Sequence, residues 1–159
     1  MEALRVAVQL KTPCLENGFQ TAHSDLLLSS FAKVTGRRLL EGGGGEALYQ
    51  APFPVLSHNT DADPILTYGN LAAQKLWEMG WDQLTSMPSR LTAEPAHRGQ
   101  RDAMFAEMRA KGFISNYAGV RISASGRRFE IRNAVIWPLL GPEGEKLGEA
   151  ATFQDYVFL

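Results

Sequence analysis

Cysteine is nearly missing from this chain of 159 residues. Cys14 stands alone, so no intrachain disulfide can form and a thiolate metal centre lacks its ligands. Histidine is scarce as well: His23, His58 and His97 lie far apart, without the close spacing of a metal-binding pair. No apolar run approaches the ~18 residues that a membrane-spanning helix needs, so no membrane partner is expected. The N-terminus has no cationic start followed by an apolar stretch. A secretory signal is therefore not expected, and the cytoplasm is the expected location. Neither sign of charge is in surplus. Sixteen Lys and Arg against 17 Asp and Glu leave a net charge of -1, which removes the electrostatic basis for nonspecific nucleic-acid binding. Several enzyme signatures are missing too: there is no G-x-S-x-G, no Walker loop and no H-E-x-x-H. The Gly42–Gly45 run is not a phosphate cradle, because no strand feeds it and no Lys-Ser/Thr follows.

What is present is an ordinary globular composition, 45% hydrophobic, enough for one domain with a modest extension. Residues 1–20 are weakly patterned and read as a leader, although Leu4, Val6 and Val8 alternate as in a short strand. Residues 22–36 read as an amphipathic helix, with Leu27, Phe31 and Val34 on one face and Gly36 as its stop. The glycine run that follows reads as a flexible tether, dividing residues 1–45 from a main body at 46–159.

The body opens with two short strands, Val55–Ser57 and Ile65–Tyr68, around a turn-rich loop. Asn70 is placed to cap a helix running to about Met79, with Leu76 and Trp77 facing inward and Gly80 as its stop. A second helix is expected from Pro95 to Lys111. Three strands follow: 113–123, 127–139 and 149–158. On the middle one Phe129, Ile131, Val135 and Trp137 are expected to share a face. Two strands, then helices, then a three-stranded meander make an α+β plan: a five-stranded antiparallel sheet with helices on one face. The helix at 22–36, from the same chain or a partner's, is the natural cover for the other face.

Several segments resemble the MEKHLA domain family: Leu56–Asn59, Asp63–Asn70, Pro88–Arg90, Gly119–Ser123, Gly126–Phe129 and Gly148–Phe153. Leu26–Ser30 and Thr35–Arg37 resemble the lead-in of its bacterial stand-alone members. That family is similar to PAS domains. The resemblance implies a sensory or regulatory module that binds a small molecule, and a homodimer. In plants such domains follow a homeodomain and leucine zipper, neither of which is present here, so a transcriptional role does not carry over. No ligand is fixed by the resemblance.

Haem and flavin are the cofactors to weigh, and neither is indicated. His97 is a remote haem-ligand candidate, on one helical face with Arg101, Met104 and Met108. Its plainer reading is a solvated first-turn histidine. Flavin photochemistry needs a cysteine near the ring, and Cys14 lies outside the body. Noncovalent flavin could stack on Trp77, Tyr117 or Trp137. His58 reads as a turn residue or as a pocket hydrogen-bond partner.

The arginines Arg90, Arg121, Arg127, Arg128 and Arg132 crowd the central strands. Tyr117, Gly119 and Arg121 share one side of their strand. An inward arginine beside a tyrosine would hold a carboxylate or phosphate, with Gly119 leaving room. Against this stands the opposite register, where Ala118, Val120 and Ile122 form the natural inward set and Arg121 pairs with Glu130 or Glu149 across the sheet. The expected ligand-binding set is Tyr68, Trp77, Arg90, Tyr117, Arg121 and Trp137. The alternative function is a protein–protein interaction domain with a filled core. A third is a small cone-shaped enzyme, drawing on Asp61, Asp63 and Tyr68.

Overall fold

The computed structural model describes residues 9–95 and 98–159. His97 and the alternating segment at 4–8 lie outside the described residues.

The body begins with strands β1 (Val55–His58) and β2 (Leu66–Gly69), paired antiparallel. Their loop is pinned by Asn59, whose Oδ1 accepts from the backbone N–H of Asp61 at 3.1 Å and of Ile65 at 3.0 Å. Helix α3 (Leu71–Trp77) starts where expected, because Asn70 Oδ1 accepts from the Ala73 N–H at 3.1 Å. It stops earlier than Gly80: Glu78 already adopts a left-handed conformation, φ 57°. Helix α4 (Trp81–Leu84) and a 3-10 turn (Ser89–Thr92) lead to helix α5 (Arg98–Lys111). Strands β3 (Ile114–Ile122), β4 (Arg128–Leu140), β5 (Lys146–Thr152) and β6 (Asp155–Phe158) complete the chain.

The strands form one antiparallel sheet in the order β2-β1-β5-β4-β3, with β6 also paired to β4. The expected final strand is thus divided in two. β5 pairs the C-terminal half of β4 (Val135↔Thr152) and β6 the N-terminal half (Phe129↔Phe158).

Two bulges decide which residues meet. The β3–β4 register slips between Ile114 and Tyr117 and again between Tyr117 and Gly119. A left-handed asparagine sits at each slip, Asn116 on β3 (φ 57°) and Asn133 on β4 (φ 54°). An extra residue in a strand turns everything beyond it to the other face. On β4 this overturns the expected shared face. Phe129 and Ile131 point to the mid-chain helices, and so do Ala134 and Ile136, while Val135, Trp137 and Leu139 point away.

The sheet is therefore covered on both sides. The inner layer joins Leu76, Trp77, Leu84, Met104 and Met108 from the mid-chain helices to Phe129, Ile131 and Ile136. The outer layer is closed by α1 (Thr21–Thr35) and the short α2 (Gly45–Tyr49) of the same chain. Leu27 and Phe31 of α1 are buried against Trp137, whose indole N–H donates to the Leu27 carbonyl at 3.2 Å. The Phe31 ring meets the Trp137 ring edge-on, with 5.0 Å between centroids. The Leu140 backbone N–H donates to Ser30 Oγ at 2.9 Å. Burying one such large side chain contributes roughly 1.5–3 kcal/mol, so this face contains several strong anchors. The glycine run joins two elements of this outer core: Leu27 and Phe31 precede it, and Leu48 and Tyr49 follow it.

Candidate functional site

Between the sheet and the mid-chain helices lies a cavity of about 190 Å³. Trp77 of α3, Thr92 and Ala93 after the 3-10 turn, and Met104 of α5 form one wall. Leu56 and His58 of β1, Arg121 of β3, Ile131 and Ile136 of β4, and Glu149 and Ala151 of β5 form the other. Trp77 is held rigid by its indole N–H, which donates to the Thr92 carbonyl at 3.2 Å.

Arg121 reaches this wall because of the bulge at Asn116, which puts Ile114, Tyr117 and Arg121 on the inner side. Tyr117 is buried in the inner core. The apolar set Ala118, Val120 and Ile122, natural for the interior by composition, occupies the opposite register. Arg121 Nη1 donates to the Val120 carbonyl at 3.2 Å, and its guanidinium lies 5.3 Å from the Tyr117 ring centroid. Gly119 makes this possible: a Cβ there would collide with the Tyr117 hydroxyl and lie 3.1 Å from Arg121 Nη1. Neither Glu130 nor Glu149 pairs with Arg121. Glu130 binds Arg132 and Glu149 binds Lys146 and faces His58.

His58 and Glu149 supply the cavity's other polar end. The His58 ring lies 2.8 Å (Nδ1) from the Asn59 carbonyl, and its Nε2 is 3.6 Å from Glu149 Oε1. Burial works against a charge on His58, but the bond to Glu149, the Asn59 carbonyl and the Glu149 charge together raise its pKa above the ordinary value. Burial likewise opposes ionisation of Glu149, but His58 and Lys146 hold its carboxyl below the usual range. Lys146 Nζ lies 3.0 Å from Glu149 Oε2. The Glu149 carboxylate is thus matched, whereas Arg121 is a half-buried cation with no carboxylate partner among the described residues.

The other expected arginines are engaged elsewhere. Arg90 pairs with Asp63 at 3.1 Å on the surface, Arg128 with Glu94 at 2.6 Å, and Arg132 with Glu130 at 2.8 Å. Arg127 lies over the Phe158 ring at 3.4 Å. Of the six expected ligand contacts, Trp77 and Arg121 line the cavity and Tyr117 supports Arg121. Arg90 is outside it. Tyr68 and Trp137 belong to the outer core, turned away by the register shift between β1 and β2 and by the Asn133 bulge. Tyr68 packs against Tyr49, Trp81 and His23, its hydroxyl buried with no hydrogen-bond partner among the described residues, and burial pushes its pKa up. Asp61 and Asp63 sit in the exposed hairpin loop, so the groups named for an acid–base pair are not brought together. Sequence reasoning missed Glu149 as a cavity residue. The signal is the β1–β5 register, which sets it directly opposite His58.

The cavity does not fit a flavin or haem. At about 190 Å³ it falls below the 300–1,000 Å³ of drug-sized ligand sites, and holds about six waters' volume. Cys14 is exposed in the segment before α1 and does not line it. Among the described residues no cluster of three metal-ligating side chains forms, and no helix is long and apolar enough to cross a membrane.

Solved structures share this architecture. An RNA-binding light-oxygen-voltage receptor matches with a TM-score of 0.57 and 18% identity over 69% of this chain, which spans 31% of that receptor. The PAS domain of a protein from Colwellia psychrerythraea matches with a TM-score of 0.58 and 13% identity, over 69% of this chain and 91% of that one. A variant of Vivid matches with a TM-score of 0.56 and 12% identity, over 82% and 99% of the two chains. At such identities the likeness shows the fold, which is PAS-like. No curated protein matches significantly. The MEKHLA domain family profile matches residues 21–158, taking in α1 together with the entire sheet. With the earlier motifs set in one antiparallel sheet and this match running almost end to end, the chain belongs to the MEKHLA domain family.

Proposed function

We propose that this domain is a sensory module whose signal is a small carboxylate or phosphate compound, held in the inner cavity by Arg121. The observation that carries the reading is the position of that guanidinium: on the cavity wall, supported by Tyr117 over Gly119, with its fork unclaimed by any carboxylate among the described residues. A planar guanidinium matches an anion through two parallel hydrogen bonds, and partial desolvation strengthens them. Trp77, Met104 and Ile131 give an apolar bed for a compact organic body. His58 and Glu149 at the far end favour a ligand with a second polar group. A thermal-shift screen of small carboxylates and phosphates tests this. Members of one class raise the midpoint of the wild type and leave Arg121→Met unmoved; equal shifts in both proteins contradict it.

A second reading, self-association, is favoured by β6. Tyr156, Val157 and Phe158 are exposed on both faces of a short strand that is paired on one side only among the described residues, and Leu159 just beyond it is exposed as well. An apolar strand edge is a template for pairing with another strand. We infer a homodimer joined through this edge, in the cytoplasm. Native mass spectrometry of wild type and Val157→Lys tests it: a dimer that the lysine abolishes supports the edge, and an unchanged oligomer refutes it.

A further inference from the structure

A second cavity, of about 490 Å³, lies on the opposite side of the sheet from the Arg121 site. Its walls are mostly apolar, with Leu10, Leu26, Ile65, Leu139 and Leu147 among them, and no Asp, Glu, Lys or Arg lines it among the described residues. The volume is within the range of ordinary small-molecule sites. A charged ligand entering it would lose hydration without gaining a counter-charge, so the lining selects against ions.

The polar groups on the wall are nearly all committed within the protein. Gln9 Nε2 donates to Thr85 Oγ1 at 2.7 Å, and Thr85 Oγ1 donates to the Trp81 carbonyl at 2.8 Å. Ser86 Oγ donates to the Asp82 carbonyl at 2.9 Å. The Thr67 hydroxyl is 2.8 Å from Ser57 Oγ, which is buried and lies 3.0 Å from His23 Nε2. This chain of three fixes the His23 ring, which also stacks on Tyr68 at 5.7 Å. Its second nitrogen, Nδ1, makes no hydrogen bond among the described residues. Burial pushes the His23 pKa down to about 4, so the ring is neutral at physiological pH and offers one nitrogen without a positive charge.

We propose that this cavity binds a neutral, largely apolar small molecule whose single hydroxyl or N–H group donates to His23 Nδ1, the ring's own Nε2–H being donated to Ser57 Oγ. The ring is oriented in advance by Ser57 and Thr67, so little ordering is needed at binding. Such a site is separate from the anion site: the two lie on opposite faces of the sheet, and their ligand chemistries are opposed.

N-phenyl-1-naphthylamine, uncharged with one N–H on an aromatic body, is a suitable probe, read by its fluorescence on titration into the full-length protein. Saturable one-to-one binding is expected. His23→Phe keeps the ring and its stacking but removes the acceptor, and weakens binding about tenfold, the worth of one hydrogen bond. Leu147→Trp fills the cavity from a half-exposed position that the fold tolerates, and abolishes the signal. Met104→Trp fills the inner cavity instead and leaves the titration unchanged, so failure of this site is told apart from failure of the anion site. Absence of saturable binding, insensitivity to both His23→Phe and Leu147→Trp, or loss in Met104→Trp overturns the proposal.

Discussion

His58 and Glu149 face one another across the β1–β5 ladder, with 3.6 Å between imidazole Nε2 and carboxylate. They are 91 residues apart in sequence (149 − 58) and meet at the wall of the inner cavity. The pair ties the sheet's protonation to the cavity's polarity.

The raised His58 pKa favours folding most when the ring is charged. That contribution is complete below the unfolded value of 6.5 and is lost as pH rises through the folded value. Glu149 acts in the other direction: its contribution is present above 4.5 and is lost as pH falls through its depressed value. Glu149→Gln removes the counter-charge and leaves the burial. The His58 ring resonances, followed by NMR, should then titrate at a lower pH than in the wild type. An unmoved midpoint would show that the pair is not coupled.

His23 gives a separate acid-side effect. With a pKa near 4 against 6.5 when exposed, folding selects the neutral ring. Its contribution is intact above pH 6.5 and is lost progressively as pH falls toward 4, in total about 3 kcal/mol. Urea unfolding of His23→Phe across that range should show a flatter acid limb. A limb as steep as in the wild type would assign the loss to other groups.

Asn70 is fully buried and joins four backbone groups. Its Oδ1 accepts from Val55 at 3.0 Å and Ala73 at 3.1 Å, and its Nδ2 donates to Leu48 at 3.1 Å and Phe53 at 2.9 Å. Asn70→Ala strands these groups and uncaps α3, with an expected cost of roughly 2–4 kcal/mol. Chemical denaturation measures it. A loss under about 1 kcal/mol would mean that water replaces the side chain.

Gly119→Ala forces the Tyr117–Arg121 pair aside, since the added methyl meets the tyrosine hydroxyl. Overpacking of this kind costs about 1–3 kcal/mol. Anion binding should fall more than stability does. Stability lost with binding unchanged would place the pair outside the site.

Much of the fold was legible because local chemistry announces it. Asn70 marks a helix start, the Asn59-to-Pro64 stretch a loop, and Gly112 (φ 85°) the end of α5. The site was legible only in part, because facing on β3 and β4 depends on two single-residue bulges. Asn116 and Asn133 look like ordinary strand positions, since nothing in period-two alternation reveals a left-handed residue. Without the first bulge Arg121 would point outward, and with the second Trp137 leaves the inner face. The His58–Glu149 meeting is set by a long-range strand register, which short-range pattern does not encode.

The most direct test of the anion site is a ¹H–¹⁵N correlation titration of the labelled protein with benzoate and, separately, inorganic phosphate. Saturable shifts are expected for one of them at the Trp77 indole, Thr92 and Arg121 signals, absent in Arg121→Met. Saturable shifts that persist in the variant, or none at these positions with either probe, would contradict it.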